Sequence, residues 1–290
     1  DSAKAIGYGL CMDGDVWDLY DHTRRAEGCT PIGVVLTIAA AGSEMSSGCV
    51  ITNEKTGEKR AYDDDLCHPA FAVMDPALTL TLPEYQTSSG IADILMHMME
   101  RYFNQSENMA VTDAVSEALM RTVMRYERVL MHDPQDLKAR AEIMWAGSLS
   151  HNNLTGLGGK KDFSVHQFGQ AIGEKFDIYH GETLSAMWAS YARYVAPTNF
   201  ARFARYARNV WGVEEADDEK AAMAGIDATE AYFKRLGMPV RIAELSCGVQ
   251  DEAGLYDLAL RCSRNRGRTI GSFRVLDFED MLNVYQMANK

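Results

Sequence analysis

No apolar run in the sequence approaches the roughly 20 residues that cross a bilayer. The longest, residues 32 to 42, has the length and composition of a buried strand. Basic charge is also scarce. There are 29 Lys and Arg against 41 Asp and Glu, a formal net charge of −12. That balance argues against a nucleic-acid groove or an anionic membrane as partner and leaves a small molecule as the better fit. The six cysteines include no Cys-x-x-Cys pair, so neither a zinc knuckle nor a redox motif is expected. They read as reduced thiols of a cytoplasmic protein. Low-complexity tracts and repeats of fixed period are absent as well.

At 290 residues the chain can bury a sizeable core and is expected to hold two domains. Residues 32–38, 48–53 and 71–75 read as strands, with a turn over Thr56 to Lys59. Ala39 to Glu44 form a small-residue loop, read equally as a close contact to a ligand or as tight packing. After Pro83 the apolar spacing changes to three and four. The helical segments predicted there are 84–103, 109–131, 136–154, 163–176, 182–195, 199–211, 217–236, 240–246, 251–264 and 277–288. The expected fold is therefore α/β plus all-α, with domains at 1–82 and 83–290.

Two of the seven histidines lie in one stretch, Val165 to Glu182. On one unbroken helix His166 and His180 would stand about 21 Å apart. They can meet only if the helix ends at Phe176-Asp177-Ile178-Tyr179 and the chain doubles back. Upstream, the i, i+4 spacing places Asp93 and His97 on one helix face. Taken singly, each histidine is better read as a buried imidazole satisfied by a carbonyl. Together, one carboxylate and three imidazoles make a divalent-metal site plausible.

This pattern, Asp93-x-x-x-His97 followed by His166 and His180-Gly181-Glu182, resembles the metal-binding pattern of the iron-containing alcohol dehydrogenases. The loop Thr37 to Glu44 and the segment Phe71 to Pro76 are similar to that family's interior landmarks. Lys59 in Thr-Gly-Glu-Lys and the segment Asp162 to His166 look most like its NADPH-dependent aldehyde reductase and butanol dehydrogenase branch. The resemblance implies the C-terminal part of a Rossmann-like dinucleotide-binding domain, then an all-helical metal domain, with the active site between them. It also implies that Asp1-Ser2-Ala3-Lys4 follows a glycine-rich phosphate loop, so that about a hundred residues of the usual protein precede it.

The same resemblance implies Fe²⁺ or Zn²⁺ held by Asp93, His97, His166 and His180, acting as a Lewis acid on the oxygen of a small aldehyde or primary alcohol. Hydride would pass to or from NAD or NADP, with Asp1, Thr37, Ser46 and Lys59 as cofactor-side residues. A homodimer is implied, with no nucleic-acid or membrane partner. The chain departs from the pattern at Gln170, where many relatives have a histidine assigned to proton transfer, and at Ala41, where a threonine is common. Two other readings stand beside this one. One is a helical metal-binding protein without redox turnover. The other is a metal-dependent hydrolase using Glu100 as its base.

Overall fold

The computed structural model describes all 290 residues. The first 80 residues carry two short helices, α1 (Ser2–Gly9) and α2 (Trp17–Tyr20), and four strands, β1 (Gly33–Val35), β2 (Gly48–Thr52), β3 (Lys59–Asp63) and β4 (Phe71–Val73). β1 and β4 pair in parallel, with Val34 opposite Ala72, while β2 and β3 form an antiparallel hairpin. The parallel pair is the part of the expected dinucleotide-binding sheet that these residues carry. Its Val35, Phe71 and Val73 are exposed.

The helices that follow are α3 (Glu84–Tyr102), α4 (Ala110–His132), α5 (Leu137–His151), α6 (Ser164–Phe176), α7 (His180–Val195), α8 (Phe200–Trp211), α9 (Asp218–Arg235), α10 (Glu252–Cys262) and α11 (Phe278–Ala288). Their apolar faces merge into one core of 53 buried residues, whereas the strand region keeps a separate cluster of seven around Tyr8, Tyr20 and Tyr62. Most of the hydrophobic stabilisation therefore lies in the helices. No helix is long and apolar enough to cross a membrane, and all six cysteines are free.

Two expectations need correction. The strand predicted over 32–38 is only three residues long. Leu36 still donates its N–H to the Val73 carbonyl, after which β4 has no further register to offer and the chain leaves the sheet. The helix predicted over 240–246 is a single 3-10 turn, Ile242–Glu244. Seven residues beside Pro239 are too few to repay helix nucleation, and Glu244 instead accepts the N–H of Val240 at 2.7 Å. The small-residue loop proves tightly packed: a Cβ on Gly90 would sit 2.3 Å from the Ala39 carbonyl oxygen.

The reversal between α6 and α7 positions the site. Asp177 takes a left-handed conformation, φ 53° and ψ 45°, ending α6 as a C-terminal cap does. Three residues later His180 opens α7. Gly181 lets that end of α7 reach α3, because a Cβ there would lie 2.4 Å from both the carbonyl and hydroxyl oxygens of Ser89. Alanine ordinarily gains up to about 1 kcal/mol over glycine in a helix. Here the obstacle is backbone, and overpacking costs about 1–3 kcal/mol. Gly181→Ala is thus expected to lower the urea midpoint, and an unchanged or higher midpoint would contradict this packing.

Candidate metal centre

Asp93, His97 and Glu100 follow the i, i+4, i+7 spacing and share one buried face of α3. His166 comes from the first turn of α6 and His180 from the first residue of α7. The reversal brings these two rings to a centroid separation of 5.2 Å. Three Nε2 atoms surround one oxygen, Asp93 Oδ1: His97 at 3.3 Å, His166 at 3.7 Å and His180 at 3.9 Å. The donor atoms of Asp93, His166 and His180 lie within 4.8 Å of one another. His97, tied to Asp93 but also to His151, stands just outside that mutual set.

The donor set fits a divalent ion. Ligands about 2.1 Å from a tetrahedral centre stand about 3.4 Å apart, close to the three distances to Asp93. Asp93 Oδ1 and His166 Nε2 are both buried, and neither has a hydrogen-bond partner. Unpartnered buried polar atoms are costly. Here two of them face each other across one gap.

The surrounding residues aim these donors. Glu100, 3% exposed, accepts from His166 Nδ1 through Oε2, while its Oε1 accepts the backbone N–H of Val165 at 2.5 Å and of His166 at 3.3 Å. His97 Nδ1 lies 3.0 Å from His151 Nδ1, and Arg101 donates to the His97 carbonyl at 2.9 Å. The Arg101 guanidinium also packs 4.8 Å from the ring centre of Phe163. Phe163 is itself held at φ 57°, a strained conformation for a bulky residue. It is stapled there by Asp162, which accepts from Ser164 N, Ser272 N, Phe273 N and the Tyr191 hydroxyl. That loop delivers His166 to the gap.

Charge follows geometry. Burial favours the neutral acid of Asp93, but the surrounding imidazoles outweigh it and hold the carboxyl below its ordinary range. Burial, the neighbouring imidazoles and Arg101 push His97 well below the usual histidine value, which favours the neutral imidazole that a metal ligand requires. Burial also opposes charge on His166, yet Glu100 and Asp93 prevail and hold it up to about 9. A metal must displace the proton that His166 binds below that pH. Apparent metal affinity is accordingly expected to rise about tenfold per pH unit from neutrality to about pH 9 and then level off. Chelator competition across that range measures it, and a flat profile would contradict the charge state of His166.

His97, His151, His166 and His180 all line a cavity of about 490 Å³. Of the residues expected on the cofactor side, Asp1, Ser46 and Lys59 also line it; Thr37 does not, and is exposed elsewhere. Ser46 is fixed by the buried Lys4, whose Nζ donates to the Ser46 and Gly48 carbonyls at 2.7 and 3.0 Å. Gln170 reaches the cavity but its amide donates to the Lys59 carbonyl, while Glu174 accepts the Lys59 N–H at 2.9 Å. These two side chains clamp β3 to α6. His151 was hidden because it stands at no ligand spacing from another histidine, and Arg101, one turn beyond His97 on α3, because a guanidinium is not a metal-ligand type. The i, i+7 offset from Asp93 to Glu100 was a usable signal.

A metal-type donor cluster walling a cavity between a strand-bearing lobe and a helical bundle defines a class of two-part metalloenzymes. Residues 1–76 match the iron-containing alcohol dehydrogenase family, and residues 87–289 match the C-terminal part of the Fe-containing alcohol dehydrogenase family. The chain belongs to this family. It is 36% identical to NADH-dependent butanol dehydrogenase A of Clostridium acetobutylicum, over 99% of this chain and 74% of that protein. Among solved structures, NADH-dependent butanol dehydrogenase A of Thermotoga maritima superposes with a TM-score of 0.94 at 30% identity, covering 100% of this chain and 73% of the other. YqhD of Escherichia coli gives 0.93 at 27% identity, covering 99% and 74%. Its sequence is described as an NADPH-dependent aldehyde reductase.

Proposed function

We propose that the chain is a metal-dependent alcohol dehydrogenase or aldehyde reductase that exchanges hydride between NAD(P)H and a small aldehyde or primary alcohol. The observation that carries this is the pair of unpartnered buried atoms, Asp93 Oδ1 and His166 Nε2, which face each other at 3.7 Å where His97, His166 and His180 line the cavity. We assign Asp93, His97, His166 and His180 as ligands of Fe²⁺ or Zn²⁺, since three imidazoles and one carboxylate suit either ion. The ion would supply Lewis acidity for the substrate oxygen, and the nicotinamide the hydride.

The chain's own residues do the rest. Residues 83–290 form the ligand-bearing domain, and Asp1, Ser46 and Lys59 of the 1–82 domain face the same cavity from the other side. Val50, Ala61 and Phe163 give it apolar wall for an alkyl group. Gln170 does not titrate near neutral pH and its amide is engaged with Lys59, so the proton exchanged with the substrate oxygen travels through water in the cavity. The hydrolase reading is set aside: both oxygens of Glu100 are committed to His166 and to the α6 backbone, leaving none to activate water.

Relatives named for NADH and for NADPH both match, so turnover of butanal with each cofactor is the direct comparison. Activity present in the parent and lost in His180→Ala supports the dehydrogenase. Metal binding without turnover supports a metal-binding protein instead. The reading includes a cytoplasmic homodimer, which light scattering checks.

A further inference from the structure

We infer that Glu100 is a positioning residue that sets which nitrogen of His166 carries the proton, and so leaves Nε2 free to bind the ion. This rests on the metal reading above but concerns a residue outside the ligand set. A neutral imidazole has one N–H and one lone pair, and the partner of the first decides where the second points. At His166 the Nδ1 partner is a carboxylate oxygen, which can only accept. In the neutral imidazole, the form a metal binds, the N–H is therefore fixed at Nδ1 and the lone pair at Nε2, the atom that faces Asp93 Oδ1 without a hydrogen bond.

The second oxygen of Glu100 makes the assignment testable. Oε1 is occupied by the N–H groups of Val165 and His166, two of the unsatisfied donors of the first turn of α6. Two oxygens thus serve three donors. A glutamine has one oxygen and one NH₂. Turning the oxygen toward His166 would set the NH₂ against two backbone N–H groups. Turning it toward the backbone preserves the helix cap and presents the NH₂ to Nδ1. The second arrangement keeps more hydrogen bonds. His166 can then accept at Nδ1 only by moving its proton to Nε2, where it blocks the ion. Glu100→Gln is therefore expected to fold normally while holding the imidazole in the wrong protonation state for binding.

The experiment uses the full chain labelled with ¹⁵N-histidine, with and without Zn²⁺, together with Zn²⁺ affinity by chelator competition. In the parent, the His166 Nδ1 signal stays in the protonated range in both states. In metal-free Glu100→Gln near pH 8 it moves to the unprotonated range, and affinity falls about 10- to 100-fold. Glu100→Asp keeps two oxygens on a shorter stem, so it restores the protonated Nδ1 with a smaller loss of affinity. The inference is overturned if Nδ1 remains protonated in Glu100→Gln and affinity stays within twofold of the parent. If the parent takes up no metal yet the glutamine variant still moves the Nδ1 proton, the metal reading fails while control by Glu100 stands.

Discussion

Asp93→Asn is expected to empty the site. Metal content should fall from about one equivalent to a small fraction of one, and turnover should fall at least about 100-fold, the upper end of what losing even a supporting residue of a metal site costs. Asp93 supplies the only negative charge in the proposed ligand set, and all three imidazole Nε2 atoms lie 3.3 to 3.9 Å from its Oδ1. Asparagine is nearly the same size, so the α3 face and its packing should survive, as far-UV circular dichroism will show. What changes is that a neutral amide replaces a carboxylate inside a ring of donors. Full metal occupancy in Asp93→Asn would remove this residue from the ligand set and, with it, the centre of the site.

That centre was legible in the sequence because each part of it obeys a local period. Asp93 and His97 announce a shared helix face, and Asp177 and Gly181 mark the place where a chain carrying His166 and His180 turns back. The nine long helices were legible for the same reason, since apolar residues recur at helical spacing whatever they later pack against. The sheet was less so. β3 was hidden because Lys59, Arg60 and Asp63 suggest a solvated turn, and only its register against β2 and the clamp by Gln170 and Glu174 make it a strand.

The supports of the site were hardest to see. Asp162 meets Ser272 and Phe273 across more than a hundred residues, and His151 meets His97 from a different helix. Spacing in sequence carries no record of such contacts. Thr37 illustrates the converse. It sits in a loop resembling the family's cofactor segment, but lies away from the cavity that its neighbours Ala41, Ser43 and Ser46 reach.

The support at Asp162 leads to the second large effect. Asp162→Ala is expected to destabilise the protein by about 3–5 kcal/mol, because a buried donor left without its acceptor costs about 1–3 kcal/mol. Four donors converge on this carboxylate: Tyr191 Oη at 2.6 Å, Ser272 N at 2.7 Å, Phe273 N at 2.8 Å and Ser164 N at 3.0 Å. Against a typical total of about 5–15 kcal/mol, this is a large fraction, and urea unfolding of metal-free protein measures it. Asp162→Asn retains one accepting oxygen and should lose less than the alanine variant. The same carboxylate holds Phe163 at a positive φ, a strain of about 1–3 kcal/mol for such a residue. Removing the staple lets that strain relax by moving the loop that leads into His166. Metal occupancy should therefore fall in Asp162→Ala even at temperatures where its helices remain folded. A variant that loses stability but keeps full metal affinity would show that His166 is held by Glu100 and α6 alone, with the strained turn before it serving only the fold.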